Sequence, residues 1–335
     1  MLNRIFTYIL VITAAVIIAA DRGHASFSSG AAGTAGAQFL KIGVGARPAG
    51  MGEAFSALAD DSTAMFWNPG ALAVIPGISI DMMHAIYFQD MSFDWVSVSM
   101  PASFGTIGVN AKYISYGSMM QYDALGAETG SISPYDISAG LTYAVSLNGL
   151  NLGAGIKFVS MNIGVAASAL VFDAGLLQTF ELAPSFMLKA ALVAQNIGAA
   201  SKFLSAEFDM PLNLKAGLAV LFQRDFTLAA EAGFPKDGAV NFSAGGEYIT
   251  DMGAGSSFIL RAGYSTRGVG GLSFGGGLNI GAIRLDYAYV PSGDLGTTQK
   301  MSLGLLFRDE ESLPAKQQRK RTIKTEKEVP LEEQK

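Results

Sequence analysis

Two histidines, His24 and His84, and no cysteine in 335 residues leave this chain few routes to covalent or metal chemistry. A nucleophile paired with histidine and most zinc sites need residue sets that the sequence does not supply. His84 lies in SIDMMHAIYF at the parity of Ile80, Met82, Ile86 and Phe88, which suits the rim of an apolar face better than a ligand role. Gly43-Val44-Gly45 and Gly50-Met51-Gly52 do not make a GxGxxG fingerprint, and no strand precedes them. Asn241-Phe242-Ser243 matches a glycosylation sequon inside a strand-like block and is read as chance. The chain is therefore expected to be no enzyme and to hold no cofactor and no metal.

What does carry a pattern is charge. Lys112, Lys157, Lys189, Lys215, Arg261, Arg284 and Lys300, with Glu231, Glu247 and Asp286, stand opposite the apolar faces of alternating blocks. If the apolar faces meet lipid, these side chains line a lumen that is basic while the whole chain carries a net charge of −5. Such an interior would favour carboxylates or other anions. The competing expectation, which is preferred, is that these charges pair with one another or with Glu53, Asp60 and Asp61.

The elements that must position them follow from composition. Half the residues are hydrophobic and only 15% are charged, against about 25% charged in an ordinary soluble domain. Residues 1–25 read as a signal peptide: Arg4, an apolar run to Ala20, then Gly23 and Ala25 as small residues before a cleavage site. The alternative is an anchor, since the run is just long enough to span a bilayer. No cysteine stands nearby for lipidation. Beyond residue 25 no run of about 18 apolar residues occurs, yet the chain stays too hydrophobic for a secreted enzyme. A barrel of half-apolar strands reconciles the two.

Period-2 alternation predicts strands at 78–88, 93–101, 104–116, 134–146, 151–161, 167–181, 185–196, 210–223, 225–234, 239–250, 256–265, 271–280, 282–290 and 298–307. In AIRLDYAYV, Ile283, Leu285, Tyr287 and Tyr289 point one way and Arg284 and Asp286 the other. Strands of about ten residues suit a tilted membrane crossing better than a sandwich. Tyr87, Tyr113, Tyr143, Tyr248, Tyr264 and Tyr289 suit interfacial girdles, and the last strand ends on Phe307. Bare lipid cannot satisfy an open edge, so the sheet must close. The expected fold is an all-β, transmembrane antiparallel β-barrel of about fourteen strands at 78–307, in a bacterial outer membrane. Residues 308–335 are densely charged and lack aromatics, which predicts a disordered periplasmic tail; a solubilising role is preferred to a contact of its basic cluster, Arg319, Lys320, Arg321 and Lys324, with an acidic or peptidoglycan-associated partner.

Residues 26–77 do not alternate, and their length suits a plug that fills the lumen. One helix is expected near 49–58. A second is expected to start at an Asp61 or Ser62 cap and run through Phe66 and Trp67. Pro69 disfavours helical geometry at Asn68, and Gly70 frees a reversal, so the second helix ends there. The stretch FLKIGVGARPAGMGEAFSALADDSTAMFWNPGALA, with Gly50, Gly52, Asp61, Ser62, Trp67, Asn68, Pro69 and Gly70, resembles the N-terminal signature of the PorV/PorQ family of outer-membrane proteins. That family is itself similar to the long-chain fatty-acid transporter (FadL) superfamily, whose plugged barrels carry an Asn-Pro-Ala turn; Gly70 replaces that alanine here. The resemblance implies a type IX secretion component that docks the C-terminal signal domain of exported cargo, with secretion-system subunits as partners. The alternative it implies is a FadL-like channel for hydrophobic or amphipathic small molecules, with a hydrophobic ligand and outer-membrane lipid as partners and no nucleic acid.

Overall fold

The computed structural model describes residues 29–87, 91–199, 201–203, 206–223, 225–268, 270–291, 293 and 296–308. The expected signal peptide and all of the tail beyond Arg308 lie outside them. Alternation becomes eighteen strands: β1 (Gly77–Ile86), β2 (Ser92–Ala102), β3 (Gly105–Ser115), β4 (Met119–Tyr122), β5 (Glu128–Ile132), β6 (Tyr135–Leu147), β7 (Leu150–Asn162), β8 (Ala166–Ala183), β9 (Phe186–Gly198), β10 (Ser201–Phe203), β11 (Ala206–Phe208), β12 (Asn213–Phe222), β13 (Phe226–Pro235), β14 (Asn241–Gly253), β15 (Ser256–Ser265), β16 (Gly271–Ile280), β17 (Ile283–Pro291) and β18 (Thr297–Arg308). Fourteen of them form one closed antiparallel barrel, and β4-β5 and β10-β11 are separate hairpins. Closure comes from β1 against β18, in register from Gly77 opposite Arg308 to Ile86 opposite Gln299. No strand of the barrel is left with a free edge, as a lipid environment demands.

The two ends of the barrel differ. At the end where β1 starts and β18 finishes, the connections are tight turns: Asn148 and Gly149 both take positive φ, 54° and 86°, as do Ala254 and Gly255, 51° and 75°. Two consecutive left-handed residues match the twist of a two-residue hairpin. The opposite end carries the longer connections, including 116–134 and 199–212, which contain the two small hairpins. Short turns at one rim and longer loops at the other are usual for outer-membrane-type barrels.

Side chains sort by parity. Outward positions such as Ile80, Met82, Leu141, Phe172, Leu218, Leu260, Leu285 and Met301 are apolar, and all but Ile80 are well exposed. Aromatics mark both rims: Tyr113, Tyr264 and Tyr289 toward the loop end, and Phe104, Tyr143, Phe222, Phe226 and Phe307 toward the turn end. Amphipathic rings at both edges of an apolar band are what two membrane–water interfaces select. Among the described residues no helix is long and apolar enough to cross a membrane.

The N-terminal segment fills the lumen. Phe39, Val44, Met51, Phe55, Met65, Phe66, Trp67 and Leu72 are buried in one cluster with inward Met83, Phe93, Trp95 and Ile114. Its helices are shorter than expected. One turn spans Ala46–Gly50 and another Ala64–Trp67, while residues 51–58 form turns rather than the predicted helix. The cause is local: Gly52 and Glu53 take φ of 64° and 65°, a left-handed pair that a right-handed helix cannot contain. The helix at Ala64–Trp67 does stop at Asn68, but the chain then enters a 3-10 helix, Pro69–Val74. Asn68 caps it by accepting the Gly70 N–H at 3.0 Å, and Pro69 occupies its first turn, where a missing N–H costs nothing.

Candidate functional site

The plug runs from the loop end to the turn end and meets the wall in two chemically different ways. Toward the turn end the contact is backbone on backbone. The Asn68-Pro69-Gly70 turn lies on β7 and β8, where a Cβ on Gly175 would collide with Asn68 Oδ1 and sit 2.9 Å from Pro69 Cδ. Asn68 Nδ2 donates to Ser56 O at 2.9 Å and to Leu176 O at 3.0 Å, joining two parts of the plug to the wall. Residues 50–52 make the same kind of contact nearer the loop end, on β14–β16: a Cβ on Gly52 would stand 2.6 Å from the Tyr264 carbonyl oxygen. Gly50, Gly52 and Gly70 in the signature are thus required by close approach.

Within the plug, Trp67 Nε1 donates to Val44 O at 2.9 Å, and its ring lies edge-on to Phe66 at 4.9 Å and Phe55 at 5.9 Å. Asp61 Oδ1 accepts the Thr63 N–H at 2.9 Å. Ser62 Oγ donates to Asp81 Oδ2 at 2.6 Å, so Ser62 ties the plug to β1 rather than capping its own helix.

The predicted lumen charges all face inward, and most are paired. On the β14–β17 side they form a relay: Asp60, Arg47, Glu247, Arg261, Asp286 and Arg284, ending on Asp61 and Asp81. Arg261 bridges Glu247 at 2.6 Å and Asp286 at 2.7 Å. Further round the wall Lys215 of β12 pairs with Glu231 of β13 at 3.1 Å, and Lys157 of β7 with Asp173 of β8 at 2.7 Å. Lys112 makes no ion pair among the described residues. Its ammonium donates to the carbonyls of Phe39 and Ile42 at 2.8 and 2.7 Å and faces the rings of Phe66 and Phe93 at 4.7 and 5.1 Å. Lys300 donates to Gly43 O at 2.7 Å, and the Lys189 side chain makes no hydrogen bond or ion pair with the described residues. The pairing expectation therefore describes this lumen better than an open basic interior.

Several participants are absent from the predicted set. Asp81 and Asp173 have the same inward parity as the lysines and were legible in SIDMM and LVFDA. Arg47 and Arg267 were not, since neither lies in an alternating block. Asn196 reaches the site through a bulge: Asp173 on β8 faces both Gln195 and Asn196 on β9, and Asn196 takes φ of 60°. Asp173 accepts the Asn196 N–H at 2.7 Å, and Lys157 donates to Asn196 Oδ1 at 2.7 Å, which hold the extra residue inward. His84 faces outward and pairs with Asp94 at 2.7 Å, at the loop-end rim.

Toward the loop end the plug is held by side-chain latches. Lys41 meets Asp237 at 2.8 Å, Gln38 joins the same carboxylate, and Arg267 bridges Glu53 at 2.7 Å while donating to Lys41 O. Burial raises the Asp237 carboxyl, but the hydrogen bonds from Lys41 and Gln38 outweigh it and hold it below the ordinary range. Burial likewise works against the Glu53 anion, and Arg267 and Lys300 more than offset it, leaving that carboxyl lowered. Between this part of the plug and the wall lies a cavity of about 330 Å³. Ile42, Tyr87, Val290 and Pro291 give it apolar sides, and Lys41, Glu53, Arg267 and Lys300 give it charge. Among the described residues no cluster of three or more acidic or histidine side chains is placed to hold a metal ion.

A closed antiparallel barrel with a folded plug and a mixed apolar and charged cavity at one mouth defines a class by its fold, the plugged β-barrels. Comparison with solved structures agrees on the fold. The chain superposes on the toluene transporter TodX of Pseudomonas putida with a TM-score of 0.54 at 13% identity, covering 80% of this chain and 99% of that one. The toluene transporter TbuX of Ralstonia pickettii gives 0.53 at 12% identity, over 79% and 99%. A family model, that of an uncharacterised protein family (UPF0164), matches residues 11–169, just under half the chain. No curated protein sequence matches it.

Proposed function

We propose that this chain is a non-enzymatic channel of the bacterial outer membrane, FadL-like in design, through which hydrophobic or amphipathic small molecules pass. The carrying observation is the cavity of about 330 Å³ between the plug and the wall at the loop end, with apolar sides and charged groups at its base. A pocket of that size and mixed lining suits a small organic ligand. The plug stands across the remaining path and acts as its gate.

The chain has no cysteine, so a locking disulfide can be introduced cleanly. Ala35 and Asp209 form a parallel bridge between the plug and the loop that follows β11. Proteoliposomes carrying Ala35→Cys and Asp209→Cys should take up toluene or decanoate when reduced and lose that uptake on oxidation. Equal uptake in both states would reject a gated route.

A PorV/PorQ-type role in type IX secretion is the second reading, supported by the resemblance over residues 37–73. One structural feature favours it: the β4-β5 hairpin projects at the loop end with Met119, Met120, Tyr122 and Leu125 exposed, Leu125 at 93%. Recovery of cargo signal domains or secretion subunits with the wild-type chain, and their loss when residues 119–132 are replaced by a short turn, would establish it. Recovery of neither would remove it.

A further inference from the structure

Glu53 is held in an unusual way. It follows Gly52 in the left-handed region with φ of 65°, a conformation that non-glycine residues adopt only under constraint. Its carboxylate fits where Gly43 has no side chain; a Cβ there would lie 2.8 Å from Glu53 Cδ and 2.9 Å from the Trp67 ring. Arg267 Nη1 stands 2.7 Å from one carboxylate oxygen and Lys300 Nζ 3.9 Å from the other. Glu53 and Arg267 are partly exposed to the cavity, 22% and 24%, whereas Lys300 is buried. Lys41, the remaining cation on the cavity, is already committed to Asp237.

Two cations with one reachable carboxylate between them make an anion seat that the protein itself fills. We propose that the Glu53 carboxylate is a built-in occupant of this seat, and that the anionic head of an amphipathic ligand in the cavity replaces it on Arg267 and Lys300. Release of Glu53 lets that residue leave its left-handed conformation and loosens the plug on the C-terminal side of Gly52. The ligand class is a carboxylate, sulfonate or phosphate head on an apolar body. A neutral hydrocarbon of the same length fills the apolar side of the cavity but has nothing to exchange with Glu53, and a ligand shifts a conformational equilibrium only by its difference in affinity for the two states. This inference rests on the reading of the cavity as part of a route for small molecules.

The test uses purified full-length protein in neutral detergent with decanoate and decanol as probes. Glu53→Gln removes the competing charge and should bind decanoate roughly tenfold more tightly, about one decade of affinity, with decanol unchanged. Arg267→Gln should weaken decanoate binding and spare decanol. With wild-type protein, which avoids any folding defect of the variants, decanoate but not decanol should raise amide hydrogen exchange at residues 52–54. Decanoate binding that is no tighter in Glu53→Gln, or exchange at 52–54 that both probes raise equally, overturns the proposal. Binding is read here without transport, so uptake that fails the disulfide test while ion-pair exchange holds would overturn the channel reading alone.

Discussion

Replacing Gly175 by alanine should unseat the plug while leaving the barrel closed. The new methyl group would collide with Asn68 Oδ1 and lie 2.9 Å from Pro69 Cδ and 3.1 Å from Pro69 N; the ring cannot yield, and the Asn68 amide is held by the Gly70 N–H and by the carbonyls of Ser56 and Leu176. Forcing a methyl into such a contact costs about 1–3 kcal/mol. Moving Asn68 away also gives up the Nδ2 hydrogen bonds to Ser56 O and Leu176 O, each worth about 1 kcal/mol net. The docked plug should therefore lose about 3–5 kcal/mol, roughly a hundredfold to several thousandfold in its equilibrium. The chain's two tryptophans report this directly, since Trp67 is in the plug and Trp95 on the inner wall against Phe66 at 6.3 Å. Acrylamide quenching of their fluorescence and protease nicking within residues 37–73 should both rise in Gly175→Ala. Gly276→Ala is the control, because its nearest atom would be Ile259 O at an ordinary 3.8 Å. If Gly175→Ala matches wild type in both assays, the plug is not held by this backbone contact.

Lys112→Ala leaves the carbonyls of Phe39 and Ile42 without their donor and opens a cavity among aromatic rings; urea unfolding followed by tryptophan fluorescence should show a loss of about 3 kcal/mol or more. Arg261→Met strips the shared partner from Glu247 and Asp286, but Glu247 keeps Arg47 and Asp286 keeps Arg284, so the same assay should register the loss of charge-assisted hydrogen bonds, about 2–3 kcal/mol. Asp237 has a lowered folded-state value, so its latch contributes fully above the unfolded value of about 3.9 and is lost as pH falls through the folded one. Hydrogen exchange at residues 36–42 should accordingly stay low at neutral pH and rise under strong acid, and Asp237→Asn should raise it at neutral pH and flatten that dependence.

The barrel was legible because strand period and lipid exposure enforce one rule along the whole sheet. A residue either faces hydrocarbon or it does not, and Arg284 and Asp286 against Leu285 and Tyr287 state the choice without tertiary information. The plug follows no such rule. Residues 49–58 carry helix-favouring alanine, glutamate and leucine, yet they turn instead because Gly50 and Gly52 must lie against β14–β16; a weak local preference gave way to a contact formed with strands about two hundred residues away. The β9 bulge that turns Asn196 inward was equally hidden, since one extra residue shifts parity without changing composition. The paired lumen was partly legible: Glu53, Asp60 and Asp61 were named as partners for the wall cations, while Arg47 and Arg267 sit in segments whose direction only the folded plug determines.

The unequal chemistry of the plug's two contacts bears on how a gate could work. Backbone packing at Gly70, Gly153 and Gly175 involves no titratable group and is insensitive to salt or to a charged ligand. The loop-end latches, Lys41 with Asp237 and Arg267 with Glu53, are ion pairs with side chains 20–24% exposed on at least one partner, and these respond to both. A charged solute arriving at the mouth thus meets the part of the plug it can loosen, while the part that joins β1 at Gly77 stays fixed. Motion confined to residues 29–43, ahead of the backbone contacts of Gly50 and Gly52, would open the mouth of the cavity without releasing the plug from the barrel. High salt should therefore raise hydrogen exchange in 36–43 and leave 66–74 protected; a uniform rise across both segments would mean that the plug moves as one body.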